Sequence, residues 1–137
     1  MKFLILGAGV AGTIAAEELR KRDKNAEITL VSEEFHPLYS RVLLPHYMKG
    51  KIPRERVFLK KESWYEDNHI EWVSGEIAQH IDPHNKFVRL SNGREYPYDK
   101  LLLATGGEVT ALEEDKRGVS YCRTIDDADH FLQLVQE

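Results

Sequence analysis

Six residues near the start of the chain, Gly7-Ala8-Gly9-Val10-Ala11-Gly12, and one acid further on, Glu33, have the types and spacing for a specific binding chemistry. Glycine at the first position permits a tight turn. Glycine at the third lets a backbone approach a pyrophosphate, and glycine at the sixth lets a helix pack close to a strand. If a helix begins here, its free N–H groups and positive dipole end face the phosphates. Glu33 lies 21 residues after Gly12, where a carboxylate accepts hydrogen bonds from a ribose 2′-hydroxyl. The same carboxylate would repel a 2′-phosphate.

These residues need elements to hold them, and the flanking sequence supplies candidates. Phe3-Leu4-Ile5-Leu6 is a short apolar run, read with Lys2 as a buried strand over 2–6. Residues 11–22 are good helix material, with small Ala15 and Ala16 suited to a helix pressed against a sheet. Ile28-Thr29-Leu30-Val31 reads as a second strand over 27–31, ending just before Glu33. Strand, glycine turn, helix, strand and terminal acid together make the dinucleotide fingerprint in its required setting. The motif alone does not choose between NAD and FAD.

The rest of the chain narrows the choice. Residues 32–56 form a long connection containing Pro37, Pro45 and Pro53, and a connection of that length is usually functional. A short helix is expected near 44–49, capped by Gly50, and another over 61–68 with Trp64 and Tyr65 as packing residues. Residues 70–73 read as a strand. The pattern then alternates: 75–82, 86–90 and 94–98 read as three short strands, with Asn92-Gly93 as a hairpin signal between two of them. Leu101-Leu102-Leu103-Ala104 reads as a buried strand running into Thr105-Gly106-Gly107. A polar surface loop is expected over 111–118, a short strand over 120–123, and a last helix over 127–136, capped by Asp126, with Phe131, Leu134 and Val135 on one face. The expected fold is Rossmann-like α/β: three layers, with a parallel sheet and a small antiparallel three-stranded insert. That insert tilts the reading toward a flavoprotein.

Composition sets outer bounds. The chain has 137 residues, 42% hydrophobic and 31% charged, with a net charge of −4. That is the balance of a globular domain with a core. No basic stripe points to nucleic acid, and no apolar run approaches the length of a membrane span. The N-terminus resembles neither a signal nor a transit peptide. The single cysteine, Cys122, excludes an intrachain disulfide and suits a reducing cytoplasm. It is expected to be a small buried residue on a strand. His80 and His84 are expected at the surface, because Pro83 and the alternating pattern argue against a metal-binding helix face.

Three motifs together resemble the N-terminal FAD-binding part of the pyridine nucleotide–disulfide oxidoreductases. They are GAGVAGTIAAEEL followed by ITLVSEE, then PLYSRVLLPHYMKGKI, then YDKLLLATGG. The tail GVSYCRTIDDADHF resembles that family's lead-in to its NAD(P)H domain. Among branches, the chain is most similar to the nitrite, rubredoxin and ferredoxin reductase types.

The resemblance implies roles. Gly7, Gly9, Val10, Ala11 and Gly12 line the FAD pyrophosphate. Glu33 holds the adenosine ribose, with Glu34 beside it. Arg41, Leu44 and Pro45 lie along the pyrophosphate and flavin side. Ile77, in the first hairpin strand, places its backbone near the adenine. Ala104, Thr105 and Gly106 close over the cofactor.

Two positions depart from the pattern. In the coenzyme A disulfide reductase and NADH oxidase branch, a redox cysteine lies two residues before a Leu-Pro pair; here that position is Val42. Without a thiolate there is no nucleophile to attack a disulfide. His46 stands where several electron-transfer relatives carry a lysine, and is read as a solvated loop residue. The resemblance divides the chain into a 1–110 FAD-binding part and a 111–137 lead-in. The family's NAD(P)H fingerprint and its second flavin-contacting segment would fall beyond Glu137. The expected activity is that of the FAD half of an NAD(P)H-dependent flavin oxidoreductase. The alternative is a non-catalytic FAD or adenine-nucleotide module, or a half that needs a partner chain. Self-association through the last helix or the open sheet edge is expected.

Overall fold

The structure is a computed structural model that describes residues 1–112 and 118–136. The chain divides into two units, Met1–Leu38 with Lys60–Gly106, and Tyr39–Leu59 with Gly107–Glu137.

In the first unit, β1 (Lys2–Leu6) is followed by α1 (Val10–Arg22) and β2 (Glu27–Ser32). β1 and β2 pair in parallel, from Lys2 opposite Glu27 to Leu6 opposite Val31, so α1 is a true crossover helix. After the second unit's α2 (Leu44–Met48) come α3 (Ser63–Asp67), β3 (Ile70–Ser74) and the antiparallel strands β4 (Ala78–Asp82), β5 (Phe87–Leu90) and β6 (Glu95–Pro97). The chain then returns as β7 (Lys100–Leu103) beside β1. The parallel sheet has the order β3-β2-β1-β7.

Alternation along β1 explains the three layers. Ile5 packs with Ala16, Ile28, Leu30, Tyr65 and Ile70 on the helix side. Leu4 and Leu6 pack with Val31, Val88, Leu90 and Tyr98 against the antiparallel sheet. A strand buried on both faces must be apolar at every position, which is why this run lacks the alternation of a half-exposed strand. Each fully buried Leu or Ile contributes about 1.5–3 kcal/mol relative to leaving it in water. α1 turns Gly12, Thr13, Ala16 and Arg20 inward. Three of these are small, so the helix sits close to the sheet. Arg20 is the exception: its guanidinium donates to the carbonyls of Asn68 (2.9 Å), His69 (2.8 Å), Lys24 (2.8 Å) and Asp23 (3.3 Å). It fastens the end of α1 to the α3–β3 turn, where His69 adopts a left-handed φ of 51°. Tyr65 stacks on Trp72 at 4.5 Å, and burial pushes its phenol pKa up.

The second unit has its own core of Tyr39, Leu44, Val57, Ile125 and Ala128. It contains α2 and α4 (Ile125–Gln136), with short 3₁₀ turns at Arg41–Leu43 and Arg54–Val57. Asp129 on α4 accepts from Tyr47 Oη (2.7 Å) and from Arg54 Nη2 (2.8 Å).

Several expectations need correction. The strand expected over 75–82 begins only at Ala78, because Gly75 turns the backbone into the left-handed region at φ 74°. The Asn92-Gly93 hairpin forms as expected, over residues 91–93: Gly93 has positive φ (79°) and donates its N–H to the Leu90 carbonyl, and Leu90 N–H donates to the Arg94 carbonyl. That is a type I turn closed by a glycine bulge. No strand forms over 120–123, and Cys122 is exposed rather than buried on one. Its sulfur lies 3.5 Å from that of Met48, and desolvation with the Asp127 carboxylate raises its pKa, so it is held as a thiol. The last helix starts at Ile125, capped by Thr124 rather than Asp126. Thr124 Oγ1 accepts the Asp127 N–H (3.1 Å), while the Asp127 carboxylate accepts the N–H of Thr124 (2.7 Å) and of Arg123 (2.8 Å). This is a reciprocal capping box. The loop expected over 111–118 falls largely on residues 113–117, outside the described residues. His46, His80 and His84 are all exposed, as expected. Among the described residues no helix is long and apolar enough to cross a membrane.

Candidate functional site

In an open parallel sheet, ligands bind beyond the carboxyl ends of the strands. In the first unit that edge is built by four segments. Leu6 is level with Val31 on β2 and with Leu103 on β7, and Val31 with Val73 on β3. The glycine turn, Glu33, Gly75 and Ala104 therefore all emerge on the same edge.

The glycines are fixed by contact. Gly7 has φ 108°, and its N–H donates to the Val31 carbonyl at 2.8 Å. The Ala104 N–H donates to the Leu6 carbonyl at 2.7 Å. A methyl group at Gly7 would overlap the Ala104 carbonyl oxygen, and one at Gly12 would overlap the Gly7 carbonyl oxygen. Gly9 differs, since a methyl there meets no atom within 4 Å. The turn is thus closed behind Gly7 and Gly12 and open in front of Gly9. Thr13, fully buried, donates from Oγ1 to the Ala8 carbonyl at 3.0 Å and fixes the loop from beneath.

Gly9 is the N-cap of α1, with no side-chain cap and no acidic residue in the first turn. The N–H groups of a helix's first turn have no intrahelical acceptor. Here they carry the positive end of a 13-residue helix into open space beside exposed Val10 and Ala11. That arrangement suits an anion.

Glu33 follows directly on β2 and is exposed. Ser32 shapes its turn. Ser32 Oγ donates to the Glu34 carbonyl at 2.7 Å and accepts from Trp72 Nε1 at 3.1 Å. Glu34 itself is half-buried. On the other side of the glycine turn, Thr105 and Gly106 are exposed, and Gly106 has φ 72°.

Ile77 is not in a hairpin strand, and its backbone is engaged elsewhere. Its N–H donates to Ser91 Oγ at 3.0 Å, and its carbonyl accepts the Ser91 N–H at 2.9 Å. The Glu76 carboxylate accepts in turn from Ser91 Oγ and the Asn92 N–H. What Ile77 presents outward is its side chain, 51% exposed.

Arg41, Leu44 and Pro45 belong to the second unit. Arg41 is exposed, its guanidinium 5.9 Å from the centre of the Tyr39 ring. Leu44 is buried in that unit's core, so its side chain is used for packing. Pro45 is exposed in the first turn of α2, where its fixed φ suits a helix start. Val42 stands out at 82% exposed on the 3₁₀ turn. Sequence reasoning missed the parts played by Thr13 and Ser32, each of which works through a contact with backbone or with a distant residue.

The sequence and the fold have known counterparts. The family model described as pyridine nucleotide-disulphide oxidoreductase matches residues 1–137. The nitrite reductase [NAD(P)H] of Bacillus subtilis (strain 168) is 36% identical over 99% of this chain. The crystal structure of NADH:rubredoxin oxidoreductase from Clostridium acetobutylicum superposes with a TM-score of 0.89 at 31% identity over 98% of this chain. That of the covalent putidaredoxin reductase–putidaredoxin complex does so with a TM-score of 0.89 at 29% identity, also over 98%. The chain spans 17% of the nitrite reductase and 35% and 34% of the two crystallised chains.

Proposed function

Because this chain belongs to the pyridine nucleotide–disulphide oxidoreductase family, whose members bind FAD and use NAD(P)H, we propose that it is the FAD-binding part of an NAD(P)H-dependent flavin oxidoreductase that passes electrons onward to an acceptor. One observation carries the reading. The turn at Gly7–Gly12 is packed so tightly behind that a methyl at Gly7 or Gly12 overlaps a carbonyl oxygen, while in front it opens onto an uncapped helix end. A cradle of that kind fits the pyrophosphate of FAD.

In this reading Gly7, Gly9, Val10, Ala11 and Gly12 bring their backbone to the pyrophosphate, and α1 supplies N–H donors and a positive dipole end. Glu33 accepts the hydroxyl protons of the adenosine ribose, with Glu34 beside it. Ala104, Thr105 and Gly106 approach from the β7 side. Ile77 acts near the adenine through its side chain, its N–H being spent on Ser91. Arg41 and Pro45 serve the pyrophosphate and flavin side, and Leu44 contributes there only through backbone. When bound, FAD supplies the redox chemistry: it accepts hydride from a nicotinamide and releases electrons. The protein supplies position and charge. Val42 offers no thiolate, and Cys122, held as a thiol, is no substitute; the chemistry is flavin electron transfer rather than disulfide reduction. Residues 1–110 form the FAD-binding part and 111–137 lead toward an NAD(P)H-binding domain. The partners are an electron acceptor and a second copy or complementary chain, and the setting is the cytoplasm.

The test is direct. FAD added to the purified chain should quench flavin fluorescence on binding and raise the melting temperature. A chain that stays colourless and gains no thermal stability from FAD would overturn the reading.

A further inference from the structure

Phe35 is 70% exposed. It lies two residues beyond Glu33, just past the carboxyl end of β2. Its ring rests on the backbone of Gly75, just past the carboxyl end of β3; a methyl at Gly75 would overlap ring atom Cε1 and lie 3.0 Å from Cδ1. Gly75 has φ 74°, so both its conformation and the ring above it call for glycine. The ring is thus seated against backbone on one side and is otherwise largely exposed, at the edge where the glycine turn and Glu33 emerge. Ile77, two residues past Gly75, adds an apolar side chain to the same neighbourhood.

Resting on the reading that Glu33 holds an adenosine ribose, we infer that Phe35, seated on Gly75, is the stacking platform for the adenine ring. The base is joined directly to the ribose, so it must lie against residues flanking Glu33. A flat π-system with little hydrogen-bonding demand on its faces is best met by an aromatic surface. Phe35 is the one aromatic side chain between Glu33 and His36. The seat on Gly75 fixes the ring before the ligand arrives, which lowers the ordering cost of binding.

The experiment compares FAD affinity, by flavin fluorescence, for the 137-residue chain and its Phe35→Leu and Phe35→Trp variants. Leu keeps an apolar side chain over Gly75 and removes the aromatic face; Trp keeps the face. The expected result is a loss of about 5- to 30-fold for Phe35→Leu, the lower range for base–aromatic stacking, and affinity within about twofold of the parent for Phe35→Trp. Melting temperatures without ligand should match for all three. Parent-like affinity in Phe35→Leu overturns the inference while leaving FAD binding intact. An equal loss in Leu and Trp variants also overturns it. Failure of the parent chain to bind FAD overturns the reading beneath it and this inference with it.

Discussion

Gly12→Ala and Gly9→Ala should do opposite things, because the two positions differ in what lies around them. At Gly12 the new methyl enters the space of the Gly7 carbonyl oxygen and approaches Ile5 Cγ2 to 3.2 Å. The obstacle is backbone, anchored on one side by the Gly7–Val31 hydrogen bond at 2.8 Å. Two terms compete. Alanine gains about 0.8–1.0 kcal/mol of helix propensity over glycine. Overpacking costs roughly 1–3 kcal/mol, and a rigid carbonyl places this site at the upper end. The cost wins, leaving a net loss of about 1–2 kcal/mol and a melting temperature lower by about 4–10 °C for a chain of this size. At Gly9 the methyl meets nothing within 4 Å, and φ is an ordinary −70°. The fold should lose no more than about 0.5 kcal/mol there, the difference between glycine and alanine as N-cap. FAD affinity should nevertheless fall about 10- to 100-fold, because the methyl stands where the phosphates must reach N–H donors, and charge-assisted hydrogen bonds are worth about 1.5–3 kcal/mol. Thermal melts and FAD titrations of both variants settle the matter. A Gly12→Ala chain as stable as the parent, or a Gly9→Ala chain that binds FAD as tightly, would show that the turn does not work as described.

Arg20→Met keeps the apolar stem and removes all the guanidinium donors. With the part-buried carbonyls of Asn68 and His69 left to water, stability should drop by about 1–3 kcal/mol, read as a lower urea midpoint. Asp127 gives a pH signature. Burial acts to raise its pKa, but the N–H groups of Thr124 and Arg123 and the Thr124 side chain outweigh it and hold the carboxyl below its ordinary value. A carboxylate depressed in the folded state stabilises fully above its unfolded pKa of about 3.9 and loses that contribution as pH falls through the lower folded value. The melting-temperature gap between the parent and Asp127→Asn should therefore be constant at neutral pH and close below about pH 4. A gap that closes instead on the alkaline side would refute the capping assignment. Leu103 on the edge strand β7 is 60% exposed, and Leu134 and Val135 on α4 are 46% and 67% exposed. Open apolar edges associate, so light scattering should show mass rising with concentration and Leu103→Lys should reduce it. A monomer across the whole series would remove this expectation.

Much of the frame is legible in the residues alone. The Phe3–Leu6 run had to be a strand covered on both faces, and a glycine turn followed by a helix former had to return the chain in parallel. Apolar runs and glycine spacing carry that information locally. The errors come where a partner decides. Residues 120–123 alternate like a strand but have none to pair with, so Cys122 ends exposed. The strand expected over 75–82 is shorter because Gly75, at φ 74°, breaks it, which leaves Ile77 outside it. Nothing in the local sequence marks Arg20 as an anchor of α1; its acceptors at Asn68 and His69 are 48 and 49 residues away. In the site, the glycines and Glu33 announce themselves by spacing. Phe35 does not, because its role depends on Gly75, which only the fold brings beneath it.

The central claim is that the carboxyl edge of this sheet holds FAD by its pyrophosphate at Gly7–Gly12 and by its ribose at Glu33. A calorimetric titration of FAD into the parent chain and into Glu33→Arg tests it most directly. Glu33 is exposed, so the substitution should leave the fold intact. The guanidinium cannot accept the ribose hydroxyl protons, and affinity should fall by about 1–3 kcal/mol, roughly 5- to 150-fold. Equal affinity in the two proteins would contradict the account.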